Sequence, residues 1–400
     1  MFDMAVTKKK NIDSIIVGVV FVLSILLPHK GVLYLINPLL LLFLAYRYSS
    51  IKRITLMQIA MAIIIVLSLS WNFFAGVDIS SKSFVRLFYI LELLLFFPFC
   101  GNHKLPNVFI YFVVVIILLS QICYVYNVGV LIDFFNQLYP YTGSLDSESA
   151  DYLVSQSQEA DSLSALEAIR FGGLFHNPNQ CMKYISLCSV AFILENHGRR
   201  LITFLPFFAI VGISSVLSGS RTGFVIVLSS LAIALAFRFV KYKVAILLVV
   251  ILSAIIVPPI FSSLKDDYRL FQISSGLSSG GSISLKYANL HSYLQRVDSF
   301  RALVVGNASI ESIKELYGVS FTKFDSEWGN AIYYYGILFT IIYFSFLIQL
   351  VIRLKGYYRI AGLILLWIVS STILFSFRTS FAFMFILSKY LNASFSRQVI

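Results

Sequence analysis

Charge is what this chain has least of. Only 12% of its 400 residues are charged, about half the share of an ordinary soluble domain, and almost none of those falls inside a long apolar run. That excludes a water-soluble globular protein. It also disfavours a pump that passes ions along a series of buried acids and bases, since such residues mark a path when they occur in spans. Cysteine is scarce. Cys100, Cys123, Cys181 and Cys188 sit in or beside apolar runs, and Cys181 and Cys188, seven apart on one helix, cannot bridge each other. Neither a disulfide framework nor a metal-ligand spacing follows from them. Heptads, internal repeats and inverted halves are missing, which weakens a transporter built from repeats. No small-residue cleavage site follows the apolar run after Lys8-Lys9-Lys10, so that run reads as an uncleaved span.

What fills the chain instead is apolar and aromatic. Hydrophobic residues make up 58%, with 37 Phe and 23 Tyr, and mean hydropathy is +0.85. The fold class is therefore an all-α polytopic integral membrane protein. A span takes about 20 apolar residues. Twelve candidates appear, at about 12–28, 31–46, 54–76, 84–99, 107–126, 179–195, 201–218, 222–240, 243–261, 328–352, 359–377 and 379–391. The formal net charge of +12 resembles a nucleic-acid signal. However, the basic residues lie in short clusters between apolar runs, as at Arg47–Arg53, Arg238–Lys243 and Arg353–Arg359. That is the pattern of cytoplasmic loops, so no nucleic-acid partner is expected.

With a cytoplasmic N-terminus every basic loop falls inside, and both termini are cytoplasmic. The expected order is spans one to five in 1–126, a first large outer loop in 127–178, and spans six to nine in 179–261. A second large outer loop follows in 262–327, then spans ten to twelve and a cytoplasmic tail in 328–400. The first loop carries Asp133, Asp146, Glu148, Asp151, Glu159, Asp161 and Glu167 against one base, Arg170. Its stretch from Gly143 to Glu167 reads as a surface helix or a mobile flap. The second loop is balanced in charge and contains a Ser/Gly run, Ser274–Ser282, before a helix-like stretch from Ile283 to Phe300. Long loops of this kind are usually functional or disordered.

Within the spans, Glu92 is the main ionisable residue, with Arg86 and Lys183 nearer the ends. Two readings of Glu92 stand open: a proton or ion site, or an acid paired with one of those bases. The chemistry-bearing residues concentrate at the outer surface in three clusters. The first is Arg170-Phe-Gly-Gly-Leu-Phe-His-Asn-Pro-Asn-Gln180. Asn177-Pro178 there reads as helix N-cap and first helical residue. Arg170, Gly172-Gly173, His176 and Asn179 are left over, and Asn179 shares a helix face with Lys183. A Gly-rich approach to a helix start beside cations suits an anion. The second cluster is Ser218-Gly-Ser-Arg221-Thr-Gly223. Arg221 there is either a snorkelling interfacial residue or a rigid fork aimed at phosphate. The third holds His291, Arg296 and Arg301, then Lys323-Phe-Asp-Ser-Glu-Trp-Gly-Asn330. Asp325 and Glu327 are either acids favoured by a helix dipole or bases near a sugar hydroxyl. Trp328 reads as an interface anchor.

Taken in order, these features resemble the bacterial O-antigen polymerases, within a superfamily that includes the O-antigen ligases. The resemblance rests on a many-span topology with two large outer loops and on Arg170…Gly173…Asn177-Pro-Asn179 ahead of a span. It also rests on Ser218-Gly-Ser-Arg221-Thr-Gly223 and on Asp325-Ser-Glu-Trp-Gly-Asn330 followed by Tyr335-Gly336-Ile337. It covers roughly 165–340. Arg269 and Gly280 fit the Arg-then-Gly spacing described for the polymerases, whereas the first loop shows no such match from Arg170. The ligases carry a histidine near the end of the second loop. Here no histidine lies between Ser292 and Trp328, which favours polymerase.

The resemblance implies a fold similar to the GT-C class of membrane glycosyltransferases. It implies a multi-pass inner-membrane enzyme whose active site faces the periplasm. Donor and acceptor would both be oligosaccharides on undecaprenyl pyrophosphate, with membrane lipids and a chain-length regulator protein as further partners. No cofactor and no metal is expected. Arg170, His176, Asn179, Lys183, Arg221, Arg296 and Arg301 would bind substrate and pyrophosphate, and Glu327, Asp325 or His291 would orient or deprotonate the accepting hydroxyl. The alternatives are a ligase that transfers glycan to lipid A-core, and a lipid-linked glycan flippase or transporter.

Overall fold

The computed structural model describes residues 2–27, 56–75, 105–138, 171–175, 178–196, 201–219, 282–307, 324, 327–353 and 386. All regular structure among them is helical. Expected spans at 31–46, 84–99, 222–240, 243–261, 359–377 and, but for Ile386, 379–391 lie outside the described residues. The longer helices among the described residues are α1 (Phe2–Leu26), α2 (Leu56–Phe74), α3 (Asn107–Val125), α4 (Gly129–Leu138), α5 (Pro178–Glu195), α6 (Leu205–Ser218), α7 (Ser282–Leu294) and α8 (Glu327–Arg353). Short 3-10 turns cover Gly173–Phe175 and Leu201–Thr203, and a π-helical turn covers Arg301–Val305. By length and composition α2, α3 and α8 are apolar enough to cross a membrane, which is the chemistry of a helical membrane protein.

Chain packing divides the molecule into two compact units, each assembled from separated stretches: 1–32 with 104–275, and 33–103 with 276–400. In the first unit α3 is the hub. Its buried stripe is Ile110, Val113, Val114, Ile117, Ser120 and Gln121, the three-and-four spacing of one helix face. Asn107 at its start and Asn196 just past α5 exchange two amide hydrogen bonds, at 2.7 and 2.9 Å. Leu105 N–H donates to Glu195 at 3.2 Å beside them. The start of α3 thus meets the end of α5, so the two run antiparallel. Tyr111 of α3 sets its ring edge-on to Phe192 of α5 and Phe207 of α6, at 5.4 Å from each. This aromatic box closes one end of a three-helix bundle. Gly18 of α1 lies against the Phe109 ring, where a Cβ would collide.

The span expected at 179–195 is the helix α5, with Pro178 as its first residue. Its run from Cys181 to Leu194 is buried all round. Neighbours rather than lipid surround it, so it tolerates Lys183, Ser186 and Ser189, which lower its hydropathy. The span expected at 201–218 begins with the 3-10 turn, leaving 14 helical residues.

In the second unit α2 packs on α8 and the π-helical turn. The stretch expected to be helical from Ile283 to Phe300 stops at Leu294. Asp298 opens the next helical turn instead. Its carboxylate accepts from the Arg301 N–H at 3.2 Å, a local capping bond that competes with helix continuation.

The span expected at 328–352 is not one straight helix. Gly336 has φ 84°, ψ 173°, a region open essentially to glycine alone. The break leaves Glu327–Tyr335 and Ile337–Arg353. A straight helix would hold residues 327 and 343 about 24 Å apart, yet the Tyr343 hydroxyl donates to Glu327 Oε1 at 3.3 Å. The first segment is therefore folded back on the second. The 17 residues after the break sit at the lower limit for a span.

Candidate functional site

Each unit gathers its buried polar side chains near the C-terminal end of one apolar helix. In the first unit the gathering point is Gln121. Its Nε2 donates to the Phe171 carbonyl at 2.9 Å and the Ser214 carbonyl at 3.2 Å, and lies 3.5 Å from Cys181 Sγ. Its Oε1 accepts from the Ser214 hydroxyl. Next to it, Ser120 Oγ donates to the Ile117 carbonyl at 2.7 Å and accepts from Leu174 N–H at 3.1 Å. One helix turn thus holds the irregular stretch Phe171–Phe175 inside the bundle. Phe171 N–H donates to the Leu217 carbonyl of α6 at 3.0 Å, and the Phe175 ring stacks on Tyr184 at 4.6 Å. Gly173 has φ +56°, and a Cβ there would meet Ser120 Oγ. Buried backbone that is not helical needs partners for its polar groups, and here protein supplies them.

Gly172-Gly173, which the sequence suggests as an approach to an anion, are instead part of this buried plug. Of the residues around it, Arg170 and His176 lie outside the described residues. Asn179 falls in the first turn of α5, and Lys183 is buried one turn further on. Gly219 caps α6 in the left-handed region, φ 57°. Arg221, two residues beyond it, lies outside the described residues, as do Arg86, Glu92, Arg269 and Gly280.

The second unit is built around the broken helix. Asn307 is buried, its Nδ2 donating to Tyr293 Oη at 2.9 Å and its backbone N–H to the Tyr333 carbonyl at 2.7 Å. Its Oδ1 accepts from Arg301 Nη1 at 3.4 Å. Gly306, φ +60°, ψ −157°, lets the chain lie directly against the Tyr334–Tyr335 peptide, where a Cβ would overlap backbone. Carbonyls loosened by the break are covered from the side. Ser68 Oγ of α2 donates to the Val305 carbonyl and lies 3.5 Å from that of Tyr334, and Thr340 Oγ1 donates to the Gly336 carbonyl at 2.9 Å. Around this core Tyr293, Phe324, Tyr333, Tyr334, Tyr335, Phe339 and Tyr343 form a chain of ring contacts. One turn along α2 from Ser68, Asn72 is fully buried and donates to the Ser68 carbonyl at 2.8 Å, while among the described residues its Oδ1 has no donor.

The third sequence cluster spreads over this unit. His291 and Arg296 are exposed at the end of α7 and the turn after it, and Arg301 is half-buried beside Asn307. Glu327 is enclosed completely, with Tyr343 donating to it. Trp328 is half-buried, and Asp325 lies outside the described residues. Among the described residues no three His, Cys, Asp or Glu side chains converge as metal ligands would.

Gln121, Ser68, Asn72 and Asn307 carry the polar framework of the two units, and a search for ionisable residues misses them all. Their signal is a neutral polar side chain that completes an apolar helical stripe, as Ser68 and Asn72 do after Met61, Ile64 and Ile65. No known protein family, no curated protein and no solved structure matches this chain.

Proposed function

We propose that this chain is an O-antigen polymerase, a glycosyltransferase of the inner membrane whose reaction faces the periplasm. A sugar hydroxyl of one undecaprenyl-pyrophosphate-linked oligosaccharide attacks the anomeric carbon of another. The bond from that carbon to pyrophosphate breaks, the hydroxyl gives up its proton, and undecaprenyl pyrophosphate leaves. The leaving group is already a good one. Catalysis therefore rests on holding its charge and aligning the hydroxyl.

The observation that carries the reading is Arg301. Its guanidinium is oriented by the buried Asn307 on a π-helical turn, with Arg296 and His291 exposed on the same short stretch of chain. A planar fork beside a second, exposed arginine suits a pyrophosphate. The resemblance assigns Arg170, Arg221, His176, Asn179 and Lys183 to binding substrate and pyrophosphate. Glu327 is enclosed and held by Tyr343, so its part is to position the broken helix. His291 and Asp325 remain to orient or deprotonate the hydroxyl.

Replacing Arg221 with Ala is expected to abolish long-chain polymer at an unchanged protein level. Long chains persisting in that strain would sink that assignment. A deletion strain separates polymerase from ligase. The polymerase reading expects single repeats on lipid A-core, whereas loss of a ligase leaves polymer on the lipid carrier.

A further inference from the structure

The helix α4 has no role in the site just described, and its surface is unusual. It leaves α3 through only a short turn that includes Asn127, in the left-handed region at φ 49°, and Val128. Val128 N–H donates back to the Cys123 carbonyl at 3.0 Å, and Leu131 and Ile132 N–H groups donate to the Val128 carbonyl at 3.0 Å. The turn is thus hydrogen-bonded throughout. It ties α4 to the end of a helix apolar enough to cross a membrane.

The ten residues of α4 divide sharply. Positions 130, 134, 138 and 131 form one stripe at helical spacing, and Val130, Phe134, Leu138 and Leu131 are 82%, 53%, 41% and 41% exposed. Ile132 and Phe135 extend that stripe and are half-buried. Position 133 lies on the other side, with Asp133 exposed, and Gln137, seven residues from Val130, sits at the edge of the apolar stripe. A ten-residue helix is about 15 Å long, too short to span, and a helix this short is marginal in water by itself. Something must cover its apolar stripe. Chain continuity supplies the candidate, because α3 ends only a short turn earlier and α4 therefore starts at the level where a span leaves the hydrocarbon.

We infer that α4 is an interfacial helix. It lies along the membrane surface with Leu131, Phe134 and Leu138 sunk among the lipid headgroups and upper acyl chains, about 5–10 Å deep, with Val130 and Gln137 at the boundary and with Asp133 facing water. Tyr126, 76% exposed in the preceding turn, sits where aromatic side chains favour the membrane–water boundary. Asp133 is the only charged residue on the helix, so binding rests on apolar burial and is indifferent to anionic lipid and to salt.

The test is nitroxide scanning of the full chain in lipid nanodiscs. Labels go at 130, 133, 134, 137 and 138, in a background where Cys100, Cys123, Cys181 and Cys188 are Ala. Labels at 134 and 138 are expected to be more accessible to oxygen than to a water-soluble nickel chelate, a label at 133 the reverse, and labels at 130 and 137, which share one edge of the stripe, intermediate. Low accessibility to both reagents at 134 and 138 would show another protein surface, or a second copy, covering the stripe. High accessibility to the nickel chelate there would show a helix standing in water. Either result overturns the inference. If the cysteine-free background fails to fold, Phe134→Trp in the otherwise native chain gives the same answer. Its added emission, over that of Trp71, Trp328 and Trp367, should be quenched more by lipids brominated near the headgroup than at the chain end. Quenching by aqueous iodide instead would overturn it.

Discussion

The two units solve the same problem with opposite means. Each takes an irregular stretch of backbone and lodges it near the end of an apolar helix. The first does so with neutral groups that satisfy one another: all of Gln121's amide is used, and Ser120 and Ser214 complete the set. Its one unusual backbone position in the plug, Gly173, is left-handed and common for glycine. The second unit holds its backbone with glycine. Gly306 and Gly336 adopt conformations that other residues avoid, a π-helical turn presses on the break, Glu327 is enclosed with Tyr343 donating to it, and among the described residues Asn72 Oδ1 has no donor. The contrast makes the plug of the first unit an anchor and the broken helix of the second a scaffold that depends on glycine.

Gly306→Val should break the contrast most severely. It forces a β-branched residue into a glycine-only conformation and into the Tyr334–Tyr335 peptide. Backbone strain and overpacking together cost more than about 3 kcal/mol. Folded yield on size-exclusion chromatography should collapse, and a yield equal to wild type would refute the strain argument. Gln121→Leu comes next. It strands the Phe171 and Ser214 carbonyls at about 1–3 kcal/mol for each buried group. Thermal melting in detergent should fall clearly, with polymer made per folded molecule unchanged. Loss of polymer without loss of melting temperature would give the plug itself a part in the reaction.

A pair at position 327 sharpens the comparison. Glu327→Leu leaves the Tyr343 hydroxyl stranded, at about 1–3 kcal/mol. Glu327→Gln keeps an acceptor and should cost less than about 1 kcal/mol and still support polymer. A folded Glu327→Gln protein that makes no polymer would instead assign the carboxylate to the chemistry. Arg301→Ala should do least to stability, under about 1 kcal/mol, because the side chain is half exposed and solvent screens it. It should nonetheless shorten or abolish the glycan ladder, and an unchanged ladder would remove Arg301 from the site.

Helix existence was legible from the sequence wherever an apolar run was long and uniform. The expectation of 107–126 meets Asn107–Val125, and 54–76 meets Leu56–Phe74. Pro178 marks the first residue of its helix, as proline's missing N–H allows. The break in α8 was not legible, because Gly336 within Tyr-Tyr-Tyr-Gly-Ile-Leu looks like one weak helix residue. Only its contact with Val304 shows why the chain turns there. The amphipathic α4 was absorbed into an acidic loop, since charge counting over 127–178 hides a ten-residue apolar stripe. At the candidate site, residue type pointed to Arg301 and Glu327, but nothing in their spacing showed that one is held by Asn307 and the other enclosed beside Tyr343.

The bond between Gln121 and Phe171 has a topological consequence. It brings together two points 50 residues apart in sequence, so the chain between them leaves and returns at one place, like a lasso with a fixed knot. Lengthening such a closed excursion costs little, about 0.6 kcal/mol for each doubling. A peptide tag inserted between Gly143 and Glu167 should leave the knot tied, and protease cleavage within that tag should yield two fragments that still migrate as one particle.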